Sequence, residues 1–154
     1  MAKYAETTTV SSAQSRAEIE RTLSKYGASG FAYGWQDSRA MIGFSMNGKQ
    51  VRFMLTLPDM NDREFTHTPS RGTRRSPVQQ EAAYEQSVRQ RWRALALVIK
   101  AKLEAVEAGI TVFEDEFLAH IVLPNGQTAG DYMIPQIEAA YESGNMPALL
   151  PQLA

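Results

Sequence analysis

The sequence predicts an α+β fold: an N-terminal helix, a three-stranded antiparallel meander packed on one long central helix, and short C-terminal helices. Three observations carry it. Asn47-Gly48 and Asp37-Ser38 are two-residue hairpin signals set between apolar runs. A stretch of roughly thirty residues from Ser76 to Gly109 holds no Gly or Pro after Pro77, so it reads as a single helix. Within it Val88, Trp92, Leu95, Ile99, Leu103 and Val106 recur at three- and four-residue steps, the spacing of one buried stripe.

Residues 1–11 are polar and β-branched, and read as an arm or an added edge strand. Ser15 and Glu18 have capping-box spacing, and Ile19, Leu23 and Tyr26 form the stripe of a short helix that Gly27 closes. The meander tests itself on paper. Both turns place Phe31, Tyr33, Trp35, Ile42, Phe44, Val51, Phe53 and Leu55 on one face, with Phe31 opposite Phe44 and Trp35 opposite Ala40; a wrong register would scatter them. That face needs covering, and the helix stripe is there to cover it. The other face carries Gly34, Gln36, Arg39, Gly43, Ser45, Gln50 and Arg52 and is polar and weakly basic.

Residues 58–76 show no periodicity and form a long basic loop. Ser76 is the N-cap of the long helix and Pro77 its first residue. Further on, Thr111 with Glu114 suggests a second capping box, and Phe113, Phe117 and Ile121 a short stripe. Thr128 and Asp131 open a last helix that Pro135 must kink or restart. The tail, residues 145–154, is broken by Pro147 and Pro151; it reads as extended, with Leu149, Leu150 and Leu153 offered to its own core or to a second copy.

At 154 residues, 44% apolar and without cysteine, the chain suits one domain, residues 1–154, with no disulfide frame and no thiolate site. No apolar run approaches the roughly twenty residues that span a bilayer, and no signal core is present, so no membrane partner and a cytoplasmic location are expected. Net charge is −1, but it is split. Up to Lys102 there are 16 basic residues against 9 acids, a balance of +7; from Leu103 onward there are 8 acids and no Lys or Arg. A polyanion or an acidic partner suits the first part, while packing of the basic helix face on the acidic part of the same chain is the alternative.

Arg71, Arg74, Arg75, Arg89 and Arg93 are the candidate nucleic-acid-binding residues, because guanidinium forks match phosphate oxygens. Glu116 and His120, four apart, are half a metal site, but acids in a first helical turn are ordinary dipole partners. No Walker loop, nucleophile elbow or dinucleotide fingerprint is present. A non-enzymatic protein with no cofactor, no catalytic residues and no metal follows.

The order helix, meander, long helix resembles the double-stranded-RNA-binding fold in topology, with Arg74-Arg75 echoing its basic helix start. Taken whole, the stretches FAYGW, NDREFTHT, RQRWRALALVIKAKLEAVEAG and EFLAHIVLPNG resemble a family of small uncharacterised proteins encoded by bacteriophages and prophages. That resemblance implies an accessory gene of a mobile element. Two functions fit it: binding DNA or RNA through the basic loop and helix start, or docking on a host or phage protein. The second includes an anti-defence inhibitor and a homo-oligomeric adaptor joined by the C-terminal tail.

Overall fold

A computed structural model describes residues 9–146 of the chain. Its order is α1 (Ser12–Lys25), β1 (Ser29–Gln36), β2 (Arg39–Met46), β3 (Lys49–Thr56), α2 (Arg63–Thr66), α3 (Pro77–Glu107), α4 (Phe113–Phe117), a 3-10 turn over Leu118–His120, and α5 (Ala129–Ser143). The α+β meander on a long helix is thus the observed architecture. The arm over residues 1–8 and the tail beyond Met146 lie outside the described residues. No helix among the described residues is long and apolar enough to cross a membrane.

The strands pair in the order β1-β2-β3, antiparallel throughout. Trp35 faces Ala40, Tyr33 faces Ile42, Ile42 faces Phe53 and Phe44 faces Val51, as the two turns require. Asn47 and Gly48 both have positive φ, which sets the right-handed twist of that hairpin; Asp37 has φ +54° at the other. One irregularity departs from the expected register. It lies between Ser29 and Ala32, where Gly30 takes φ +65°, so Phe31 opposite Phe44 is not a paired position. Phe31 nevertheless packs against the core.

Ile42, Phe44, Val51 and Phe53 are buried beneath α3, which contributes Trp92, Ala96, Ile99 and Leu103. Leu95 is partly buried at the margin of this cluster. From α1 come Ile19 and Leu23, and from the C-terminal part Phe113 and Phe117. Trp35 departs from the expectation that this face is covered, being 72% exposed. Neighbouring Tyr33, 41% exposed, meets Trp92 edge-on at 5.6 Å, with the Arg16 guanidinium over both rings. The reason is placement: α1 packs chiefly on α3, so the outer end of β1 projects past the helical layer.

Two helix starts and the course of the last helix differ from the sequence reading. Helix α1 is capped by Ser11 and Gln14 in a reciprocal box, one turn before the expected Ser15; Ser15 is instead buried within the helix. The N-cap of α4 is Val112, without a side-chain hydrogen bond, so the Thr111–Glu114 box does not form. Pro135 lies inside α5, which continues to Gly144 at φ +73°; it neither ends nor restarts the helix. Ser76 and Thr128 do cap α3 and α5.

Candidate nucleic-acid interface

The segment after β3 is not featureless. Its first residue stays tied to the sheet, the Leu57 N–H donating to Ser38 O at 2.7 Å. Phe65 and Thr66 of α2 are buried, and Phe65 meets Tyr84 of α3 edge-on at 5.4 Å. One buried ring, packed on Tyr84, and one buried threonine thereby pin a four-residue helix that has no stability of its own. The chain then folds back. His67 bridges Arg74, the Thr68 N–H donates to Thr73 O at 2.8 Å, and Gly72, at φ +64°, closes the turn. Gln80 Nε2 reaches Met60 O at 2.8 Å and ties the segment to the first turns of α3.

The five predicted arginines separate into two groups. Arg71 and Arg74 are exposed on this folded loop. Arg75 faces inward, donating from Nη1 to the carbonyls of Glu64 at 2.9 Å and Phe65 at 3.3 Å, so it holds α2 in place. Arg89 is half-buried and donates to Gln86 Oε1 within its own helix. Arg93 forms an ion pair with Glu18 of α1. Arg89 lies thirteen residues beyond Ser76, which at the helical rise is about 20 Å along α3. The structure therefore brings Arg71 and Arg74 together and leaves Arg89 and Arg93 on the α1 side.

A residue the sequence reading passed over completes the loop. Arg63, the first residue of α2, is exposed, and its Nη2 lies only 3.4 Å from where a Cβ on Gly72 would stand. With Arg71 and Arg74 it supplies three guanidinium groups around one turn, and among the described residues none of the three is in an ion pair. His67 sits among them, its Nδ1 2.7 Å from Thr66 Oγ1. Desolvation first, and then the charges of Arg63 and Arg74, hold its pKa below 6.5. The signal in the sequence was the spacing Arg63–His67–Arg71–Arg74, legible only once the turn at Gly72 is known.

The charge split has a structural outlet elsewhere. Lys49 pairs with Glu114 at 3.4 Å, and Lys102 Nζ meets Glu116 Oε1 at 3.2 Å. These pairs join the basic and acidic parts of the chain, whereas none of Arg74, Arg75, Arg89 and Arg93 is paired with the acidic region among the described residues. Glu116 thus has a cation already. Its expected companion His120 stacks on Phe53 at 4.0 Å and hydrogen-bonds the Arg52 backbone.

His120 also supplies a pH test. Desolvation first, then Lys102, lower its pKa from 6.5, against weaker raising by the Arg52 backbone and Asp131. The unfolded chain consequently binds this proton more tightly, so stability present above pH 6.5 falls as pH drops through 6.5 towards the folded value. Thermal melts from pH 7.5 to 5.5 should decline in the parent and decline less in His120→Gln. Equal declines would show that His120 does not set the slope.

Compared with family models, with curated proteins and with solved structures, the chain gives no match.

Proposed function

We propose that this protein contacts nucleic acid, without a catalytic step and without strong sequence preference, through the folded loop carrying Arg63, Arg71 and Arg74. One observation carries the reading: Arg63, Arg71 and Arg74 are exposed on or beside one tethered turn and have no carboxylate partner among the described residues. Backbone hydrogen bonds from Thr68, Gly72 and Arg75 hold that turn, so little conformational entropy is lost when phosphate binds. Phosphate contact without base-edge readout yields salt-dependent, sequence-tolerant binding. The likeness of the four stretches to bacteriophage proteins supports a mobile-element setting for such an activity.

Arg71→Ala/Arg74→Ala should weaken DNA or RNA binding and reduce the salt slope by roughly two counterions, with melting temperature nearly unchanged. Arg93→Ala should do the reverse, lowering stability by up to about 1 kcal/mol for a part-exposed ion pair and leaving binding intact. Anisotropy titrations across salt, with thermal melts on the same variants, make the comparison. A double variant that binds like the parent would remove the site.

A second reading, docking on a protein, rests on the exposed apolar side of α5. Ile137, Tyr141 and Met146 flank one open depression there, with Tyr141 87% exposed. Tyr141→Asp abolishing capture of a host or phage protein while leaving nucleic-acid binding unchanged would favour it.

A further inference from the structure

The sheet has two edges, and the fold treats them differently. Beyond β3, the Val51–Ile121 bridge and the Val122 N–H donated to Gln50 O at 2.8 Å cover part of the outer row of backbone groups. Beyond β1, no strand or bridge lies alongside among the described residues. The two-residue turn makes Gln36 and Arg39 a hydrogen-bonded pair, and the alternation of an antiparallel ladder then turns the N–H and C=O of Ala32 and Gly34 towards β2. Those of Tyr33 and Trp35 point the other way, into the open edge. The strand SGFAYGWQ holds neither charge nor proline, either of which guards an exposed edge, and its one irregularity is confined to Ser29–Ala32. Tyr33 and Trp35 leave ring surface in solvent at the same place.

We propose that β1 pairs antiparallel with β1 of a second copy, joining two meanders into one six-stranded sheet. The strand is complementary to itself. With a two-fold axis passing at Gly34, Tyr33 of each copy stands opposite Trp35 of the other, so the outward N–H and C=O groups of both residues meet in phase. The same register lays each indole beside the other copy's phenol on the α3 side of the sheet, a favourable cross-strand pair that covers the exposed rings. Glycine suits the axis itself, where a pair without hydrogen bonds brings the two backbones closest. An uncharged strand also meets its own copy without like-charge repulsion. Because the β3 edge is partly covered and β1 is the open one, pairing through β1 closes as a dimer and does not extend into a fibre. The inference is independent of the nucleic-acid reading.

Sedimentation equilibrium of the full-length chain across micromolar concentrations should give a mass rising towards twice that of one chain and no further. In the associated protein the Tyr33 and Trp35 amides, which have no partner within β1–β2, should exchange hydrogen slowly. Trp35→Lys should weaken association at least about tenfold, because each pair loses two aromatic cross-strand contacts, and should return the Tyr33 amide to fast exchange. Its melting temperature in dilute solution should match that of the parent, since Trp35 is 72% exposed in the single chain. Trp35→Phe, which keeps a ring, should retain the pairing. Met54→Lys, an exposed position on the opposite face of the sheet, should leave the mass unchanged. A parent that stays at the mass of one chain leaves the edge to a foreign strand and overturns the proposal. Association that survives Trp35→Lys with the Tyr33 amide still exchanging fast places the contact elsewhere and overturns it equally.

Discussion

Phe117→Ala is expected to destabilise the fold by about 3–5 kcal/mol, the range for removing a fully buried aromatic ring. Phe117 has no solvent exposure and meets three other rings: Phe113 stacked at 5.1 Å, and Phe44 and Phe53 edge-on at 6.1 and 6.3 Å. It is the point at which the C-terminal segment closes over the sheet. Truncation leaves a cavity bounded by rigid rings and also forfeits their edge-to-face geometry. Phe44→Ala, on the sheet side of the same cluster, should cost a similar amount. In a domain of ordinary stability, about 5–15 kcal/mol, either change brings the chain near unfolding at room temperature. Urea titration monitored by near-ultraviolet circular dichroism measures it. A loss below about 1 kcal/mol for Phe117 would mean that the C-terminal segment does not close the core as drawn.

Gly130→Ala should destabilise by about 1–3 kcal/mol, the cost of overpacking, although alanine is intrinsically the better helix former by about 1 kcal/mol. The opposition of signs makes the test sharp. Gly130 is the second residue of α5, and a Cβ there would stand 2.9 Å from the Ala119 carbonyl oxygen and 3.2 Å from the Ala119 Cβ. The obstruction is backbone, which cannot rotate away. Ala129 N–H also donates to Ile121 O at 2.8 Å, so the start of α5 is held against the 3-10 turn from both sides. A melting temperature raised by Gly130→Ala would show that α5 can move off Ala119 freely.

Much of the fold is legible in spacing alone. The two turns and the alternation of apolar residues specify the pairing of Tyr33 with Ile42 and of Phe44 with Val51, because a slip by one position would expose the whole set. Ser76, Pro77 and the Val88-to-Val106 stripe likewise define α3 with its buried Trp92, Ile99 and Leu103. The choice between two capping serines was not legible. Ser11-Gln14 and Ser15-Glu18 have the same spacing, and only α3 decides between them, by burying Ser15 and drawing Glu18 to Arg93. Nor did residues 58–76 show α2, since its four residues are held by Tyr84 and Arg75 rather than by any local period.

What the sequence by itself determined is therefore the main helices and strands, the register of the sheet beyond the start of β1 and the presence of a cationic segment, all encoded in distances of one to four residues. Tertiary structure decided the use of each cation and aromatic. Arg75, Arg89 and Arg93 acquired internal partners, Arg63 joined Arg71 and Arg74 through the Gly72 turn, and Trp35 was left outside a helical layer that covers Ile42 and Phe53. Periodicity acts between near neighbours along the chain. A guanidinium or an indole takes its role from groups tens of residues away, whose positions exist only after the helices have packed.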